Sequence, residues 1–290
     1  MTLLSLLQAS PLAFAILAAA LGLIVGSFLN VVIHRMPIVL MRNWQRDCQD
    51  LSGQPENSAT HERYNLVTPR SRCPHCGHAI TAMENIPVIS YLWLRGRCSS
   101  CRNRISLRYP FVELLSAALA AVAAWHFGFN AAGIAAILLT WLLVALAFID
   151  IDHQLLPDAM VLPFLWVGLL LNLLNVFTSL PDAVLGAVAG YLSLWSVFHT
   201  FKLITGKEGM GYGDFKLFAL FGAWLGWQSL PLIILLSSFV GAMIGIGLIV
   251  FRGRDRAQPL PFGPYLAVAG WVALLWGDEI MRQYLQIARI

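Results

Sequence analysis

The chain has 290 residues, a formal net charge of +4 and a mean hydropathy of +0.71, with 58% hydrophobic and only 12% charged residues. That balance excludes a single soluble core under a charged surface and implies an all-α polytopic membrane protein.

The first apolar run, 11–33, is long enough to span a bilayer. No basic stretch precedes it, so it reads as a retained first transmembrane helix rather than a secretory signal. Further runs at 110–128, 131–149, 157–177, 183–203, 214–228, 230–251 and 261–277 bring the expectation to about eight transmembrane helices. The sixth and eighth are short, which leaves a count of seven, or a re-entrant segment, open. The expected domains are 1–33 as first helix, 34–109 as an inserted polar loop and 110–290 as the main membrane domain.

That loop carries four of the five cysteines, as Cys73-Pro74-His75-Cys76 and, twenty-one residues later, Cys98-Ser99-Ser100-Cys101. Two Cys-x-x-Cys knuckles at this distance have the spacing of one structural zinc site with four thiolate ligands, Cys73, Cys76, Cys98 and Cys101. His75 and His78 are read as bystanders and Cys48 as an unpaired thiol. The loop is rich in Pro, Gly and Arg, so a bound zinc ion would supply folding energy that its own core cannot.

Of the nineteen Lys and Arg residues, eleven lie between His34 and Tyr109. Lys202, Lys207 and Lys216 form a second cluster and Arg252, Arg254 and Arg256 a third, while Arg282 and Arg289 stand apart. With eight crossings the three clusters share one side. The positive-inside rule then puts the loops in the cytoplasm and both termini outside, with Trp125, Trp227 and Trp276 near outer helix ends. A cytoplasmic loop is a reducing setting, which favours metal over disulfides.

The third apolar run leads into Asp150, Asp152 and Asp158. Pro157-Asp158 suits the first turn of the next helix, and Asp152 suits a solvated loop. Asp150, the deepest, is the candidate. A second carboxylate, Asp214, closes the run Gly209-Met210-Gly211-Tyr212-Gly213-Asp214 at the mouth of the sixth helix. The topology places both acids on the cytoplasmic face, and ionisable groups at membrane depth usually mark a functional pathway. Two facing aspartates suit peptide-bond hydrolysis: one takes a proton from the attacking water while the other protonates the carbonyl oxygen. Such a pair shares a proton and titrates as a unit. The helix macrodipole makes Asp150, at a C-terminus, the protonated member and Asp214, at an N-terminus, the ionised one. The glycines let an extended backbone approach the acid. They do not read as a phosphate cradle, since no strand precedes them and no Lys-Ser or Lys-Thr pair follows.

Gly-x-Gly-Asp at a helix start, the setting from Phe148 to Asp158, and the 64 positions separating Asp150 from Asp214 together resemble the type IV prepilin leader peptidases. Gly26 to Arg35, Glu84-Asn85-Ile86-Pro87, Ser90-Tyr91 and Arg108 to Glu113 resemble the N-terminal region of the bifunctional bacterial members. The resemblance implies an inner-membrane aspartyl protease with Asp150 and Asp214 as its catalytic pair. It implies type IV prepilins and type II secretion pseudopilins, inserted in the lipid bilayer, as partners, and no nucleic acid. It also implies N-methylation of the new N-terminal residue, usually phenylalanine, from S-adenosylmethionine. No strand leads into a Gly-rich turn to mark a site for that cofactor, so its residues stay unnamed. Asn30 and Glu113, polar groups just inside the membrane, serve either a substrate groove or bonding within the bundle. A carboxylate-dependent transporter is the alternative, though no paired repeat is visible. Neither His-Glu-x-x-His nor Gly-x-Ser-x-Gly occurs to support another protease mechanism.

Overall fold

The computed structural model describes residues 2–52, 64–207, 209–252 and 260–288. Arg63, Arg254, Arg256 and Arg289, which enter the charge count, lie outside the described residues. Among the described residues the chain is helical, with no strand beyond two isolated bridges. It divides into two compact units, Met1–Phe129 and Asn130–Ile290.

The first unit holds α1 (Leu3–Ala9), α2 (Pro11–Ser52), α3 (Ile89–Trp93) and α4 (Arg108–Phe127). Gly22 and Gly26 stand one turn apart on α2, and α4 lies directly on them. A Cβ at Gly22 would sit 2.6 Å from Ala117 Cα, and one at Gly26 2.7 Å from Glu113 Cα. Small residues at this spacing let two membrane helices meet backbone to backbone. The structure carries α2 well past Ile33, where the apolar run ends. Its 42 residues span about 63 Å, roughly twice the hydrocarbon thickness, so its exposed, mostly polar C-terminal part is a helical stalk outside the membrane.

The second unit holds α5 (Ala131–His153), α6 (Asp158–Asn172), α7 (Leu180–Thr205), α8 (Tyr212–Leu225), α9 (Leu230–Arg252) and α10 (Gly263–Ala288). Helices α2 and α4 to α10 match the eight predicted runs one for one. Among the described residues, five segments are long and apolar enough to cross a membrane by length and composition: α2, α4, α5, α7, and α9 with the turn before it. The chain is an integral membrane protein.

Helix α8 is the centre of the second unit. It has only 14 residues, but from Asp214 to Trp224 all except Lys216 are buried. A short helix can sit at membrane depth when its neighbours, not lipid, surround it. On one side α7 approaches through Gly186 and Gly222, which face each other so closely that a Cβ on Gly222 would lie 2.1 Å from Gly186 O. On another, Trp224 Nε1 donates to Phe164 O of α6 at 2.8 Å. Asn172 closes this end: its amide donates to Ala223 O and Trp224 O, and its oxygen accepts from Phe177 N and Thr178 N. The full bonding capacity of this buried Asn side chain is used. Helix α10 joins α5 through a bond from Trp271 Nε1 to Thr140 Oγ1 at 3.0 Å.

Candidate active site and metal centre

Asp150 lies in the last turn of α5. Gln154 ends that helix in the left-handed conformation, φ 51°, and its amide closes back on Asp150 O at 2.9 Å. The chain then runs through Leu155 and Leu156 to Pro157 and Asp158 at the start of α6. Asp214 occupies the first turn of α8, where its Oδ2 accepts from Gly211 N at 3.3 Å, so the carboxylate caps its own helix. Both acids are nearly sealed, with 5% and 7% of their surface exposed. Both lie beside Leu156, which packs on Gly213, the neighbour of Asp214, and on Gly263, whose amide bonds Asp150.

Local packing at this end of the unit brings them together. Leu156 is buried between the two helix starts that form the site. A Cβ on Gly213 would lie 2.8 Å from Leu156 Cβ, and one on Gly263 3.3 Å from Leu156 Cδ1. Asp158 accepts from Lys216 of α8, with Nζ 2.7 Å from each carboxylate oxygen. The predicted helix-start acid therefore also ties α6 to α8. Asp152 is exposed. Aromatic rings of Phe198, Tyr212 and Phe215 pack with centroids 5.3 to 5.6 Å apart beside the glycine run. The bare face of Gly209 lies against Phe201.

One contributor is missing from the sequence reading. Gly263 N, at the start of α10, donates to Asp150 Oδ2 at 3.0 Å across 113 positions. This bears on the expected charge polarity of the pair. The C-terminus of α5 disfavours an anion at Asp150, but the N-terminus of α10 favours one there. The macrodipole no longer separates the two acids. The signal for this contact is faint: Phe262-Gly263-Pro264 has the Gly-Pro pattern of a helix start, which says nothing about a partner.

In the first unit the four cysteine sulfurs all lie within 4.8 Å of one another. Sγ of Cys73 is 3.8 Å from that of Cys101, and Cys76 is 4.0 Å from Cys98. A tetrahedral site with metal–sulfur distances of about 2.3 Å has edges of about 3.8 Å, so the cluster fits a four-coordinate metal centre. Cys48 is exposed and outside it.

The two knuckles are near copies. Cys73 N donates to His78 O and Gly77 N to Cys73 O; twenty-five positions on, Cys98 N donates to Asn103 O and Arg102 N to Cys98 O. Amides of His75 and Cys76 pull the Cys73 thiol down to about 7, and those of Cys101 and Ser100 pull Cys98 down as well. At Cys101 the amide of Asn103 favours the thiolate, but desolvation and the crowded neighbouring thiols push it up to about 11. A cation among the four sulfurs would remove that conflict. Glu84 joins the knuckles. Its carboxylate is bonded by Ser99 and Thr81, which hold it down to about 2, and it lies 3.4 Å from His78 Nε2.

Asn30 and Glu113 are engaged within the first unit. Asn30 Nδ2 donates to Gly26 O and Tyr109 O, each at 3.2 Å, pinning the start of α4 to α2. Glu113, 7% exposed, accepts from Val88 N at 2.8 Å and from Ser27. Val88 has φ +60°, an outlying conformation for a β-branched residue, and the carboxylate holds it there.

Residues 20–127 match the bacterial peptidase A24 N-terminal domain. Residues 137–246, which include both acids, match the type IV leader peptidase family. A protein named prepilin leader peptidase/N-methyltransferase from Stutzerimonas stutzeri is 58% identical, covering 100% of each chain. Its namesake from Pseudomonas aeruginosa is 59% identical over 99% of each. One from Legionella pneumophila is 48% identical over 91% of this chain and 92% of that protein. No solved structure matches. With these identities over essentially full length, and with its two acids inside the matched region, the chain belongs to the type IV leader peptidase family.

Proposed function

We propose that Asp150 and Asp214 are the aspartyl pair with which this chain cleaves prepilin leaders, as the peptidase half of a bifunctional prepilin leader peptidase and N-methyltransferase. Both activities rest on the family and on near-full-length relatives that carry both names. The observation that supports the pair is the meeting of the two acids. They stand 64 positions apart in sequence, are both buried, and are brought to one end of a helical unit by the packing of Leu156 on Gly213 and Gly263. One carboxylate takes a proton from water as the water attacks the scissile carbonyl, and the other protonates the carbonyl oxygen. Collapse of the tetrahedral intermediate then returns a proton to the leaving amine. The exposed Tyr212, and Gly211, where a Cβ would meet nothing closer than Asp214 Oδ2 at 3.7 Å, leave room for an extended substrate backbone.

Pseudopilins of type II secretion join prepilins as substrates on this reading. After cleavage, S-adenosylmethionine supplies a methyl group to the new N-terminal amine. The cation distribution supports an inner-membrane topology with the site and the cysteine loop in the cytoplasm and both termini outside. We assign 1–33 as the first crossing, 34–109 as the metal-binding loop and 110–290 as the peptidase domain. The sulfur geometry supports zinc at Cys73, Cys76, Cys98 and Cys101, since four thiolates in a tetrahedron suit that ion. Zinc there would fix the fold of the loop.

The test uses purified protein in detergent with no ion gradient. Cleavage of a prepilin, abolished by Asp150→Asn and by Asp214→Asn separately, establishes the peptidase pair. Full cleavage by either variant rejects it. Methyl incorporation from labelled S-adenosylmethionine is followed separately, on prepilin and on pilin already lacking its leader.

A further inference from the structure

The peptidase site has a third contributor, and it is a backbone group. We propose that Gly263 is a positioning residue of the peptidase: its amide holds Asp150 Oδ2 and so presents Oδ1 to the reacting groups. This rests on the assignment of Asp150 as catalytic made above.

Three observations carry it. First, the bond is buried and 3.0 Å long, and it joins α10 to α5 at the reacting carboxylate. Hydrogen bonds from an amide to a carboxylate are among the stronger ones in proteins. Second, a side chain at this position would displace the carboxylate: a Cβ there would lie 2.7 Å from Asp150 Oδ2 and 3.1 Å from its Cγ. Pro264, next in the chain, has a fixed φ that suits a helix start and no N–H to compete for the carboxylate. Third, the arrangement repeats across the pair. Gly211 N donates to Asp214 Oδ2, so each acid has one oxygen tied to a glycine amide and the other left for proton transfer. Leu156 touches both Gly213 and Gly263 and fixes the distance between the two helix starts. A carboxylate held by one oxygen loses rotational freedom, which is what orienting a proton-transfer group requires.

The charged surroundings leave this bond as the specific handle on Asp150. Asp214 faces it from α8. Asp152 and His153 follow on α5 and are exposed. Lys216 of α8 is occupied by Asp158 of α6. On α10 the first titratable side chain, Tyr265, packs against Gly241 of α9.

The experiment compares wild type, Gly263→Ala and Asp150→Asn, purified in lipid nanodiscs, on a prepilin and on pilin already lacking its leader. The added methyl of Gly263→Ala pushes the carboxylate off the amide. It is expected to lower kcat for cleavage about tenfold or more, with KM within about twofold, as loss of a charge-assisted bond implies. The acid limb of its pH–rate profile moves up by about one unit, because the pair loses a donor that favours its ionised form. Methylation of the leaderless pilin continues, which shows that the protein is folded. Wild-type kcat and an unmoved acid limb overturn the inference. If Asp150→Asn itself still cleaves, it is the underlying assignment that fails. Should Gly263→Ala lose both activities, the wild type decides: the Gly263 amide proton, followed by NMR in 15N-glycine-labelled protein, must shift with pH through the acid limb. A resonance that stays put overturns the proposal.

Discussion

Substituting Gly222 by Ala probes whether the position of Asp214 is set by helix packing far from the chemistry. Gly222 lies on α8 eight residues beyond Asp214, a distance of about 12 Å along the axis. A Cβ there would be 2.1 Å from Gly186 O and 2.3 Å from Gly186 C of α7. A carbon and a carbonyl oxygen settle at about 3.3 Å, so the helices must part by about 1 Å. Helix α8 has little room to retreat. A Cβ on Gly270 of α10 would lie 2.0 Å from Phe221, and one on Gly168 of α6 2.3 Å from Trp224. The added methyl therefore costs about 1–3 kcal/mol as overpacking and is relieved by moving the helix that carries Asp214. A misplacement of about 1 Å at a catalytic group lowers the rate by about a hundredfold. Single-turnover cleavage of a prepilin measures this directly, with thermal unfolding as a parallel check. Gly247→Ala on α9 is the control, since a Cβ there meets nothing within 4 Å, and it should cleave within about twofold of wild type. Cleavage at the wild-type rate by Gly222→Ala, or equal damage by Gly247→Ala, would refute the reasoning.

The cysteine loop gives two further tests. Arg102 holds φ +61° where its counterpart Gly77 holds +71°, a conformation that costs a side-chain-bearing residue about 1 kcal/mol. Arg102→Gly should therefore slow amide hydrogen exchange across 97–104 and raise resistance to a chelator; faster exchange would count against strain at this position. Removing the metal with a chelator should expose Cys73, Cys76, Cys98 and Cys101 to alkylation, while Cys48, exposed in any case, reacts with or without it. Amides of Cys73, Gly77, Cys98 and Arg102 should lose protection at the same time, and those of α8 should keep theirs. Four cysteines that stay unreactive after the metal is gone would mean that the loop holds itself together.

The helices behind the eight apolar runs were readable because burial in a membrane or in a bundle acts on composition: the backbone must be helical, and the side chains turned to lipid or to the core must be apolar. The same logic hid the length of α2. From Met41 to Ser52 the residues are mostly polar and all exposed, so nothing in their hydropathy distinguishes a helical stalk from a loop. The cysteine knuckles were readable because ligands must be particular side chains at particular spacings. Glu84, which links the knuckles, stood out only as part of a motif, since a carboxylate bonded by Thr81 and Ser99 has no spacing rule.

The proposed active site divides along the same line. Asp150 and Asp214 stand out because a carboxylate at membrane depth needs a reason. Gly263 does not, because what it supplies is an amide that any residue but proline has, together with an absence of atoms. Its distance from Asp150, 113 positions in sequence, puts it beyond any local pattern, and the helix whose N-terminus it opens opposes the polarity that α5 alone would impose. A macrodipole argument made on single helices therefore fails wherever a third helix ends at the same charge. The identity of the acids belongs to the sequence, but the balance between them belongs to the packing of α5, α8 and α10.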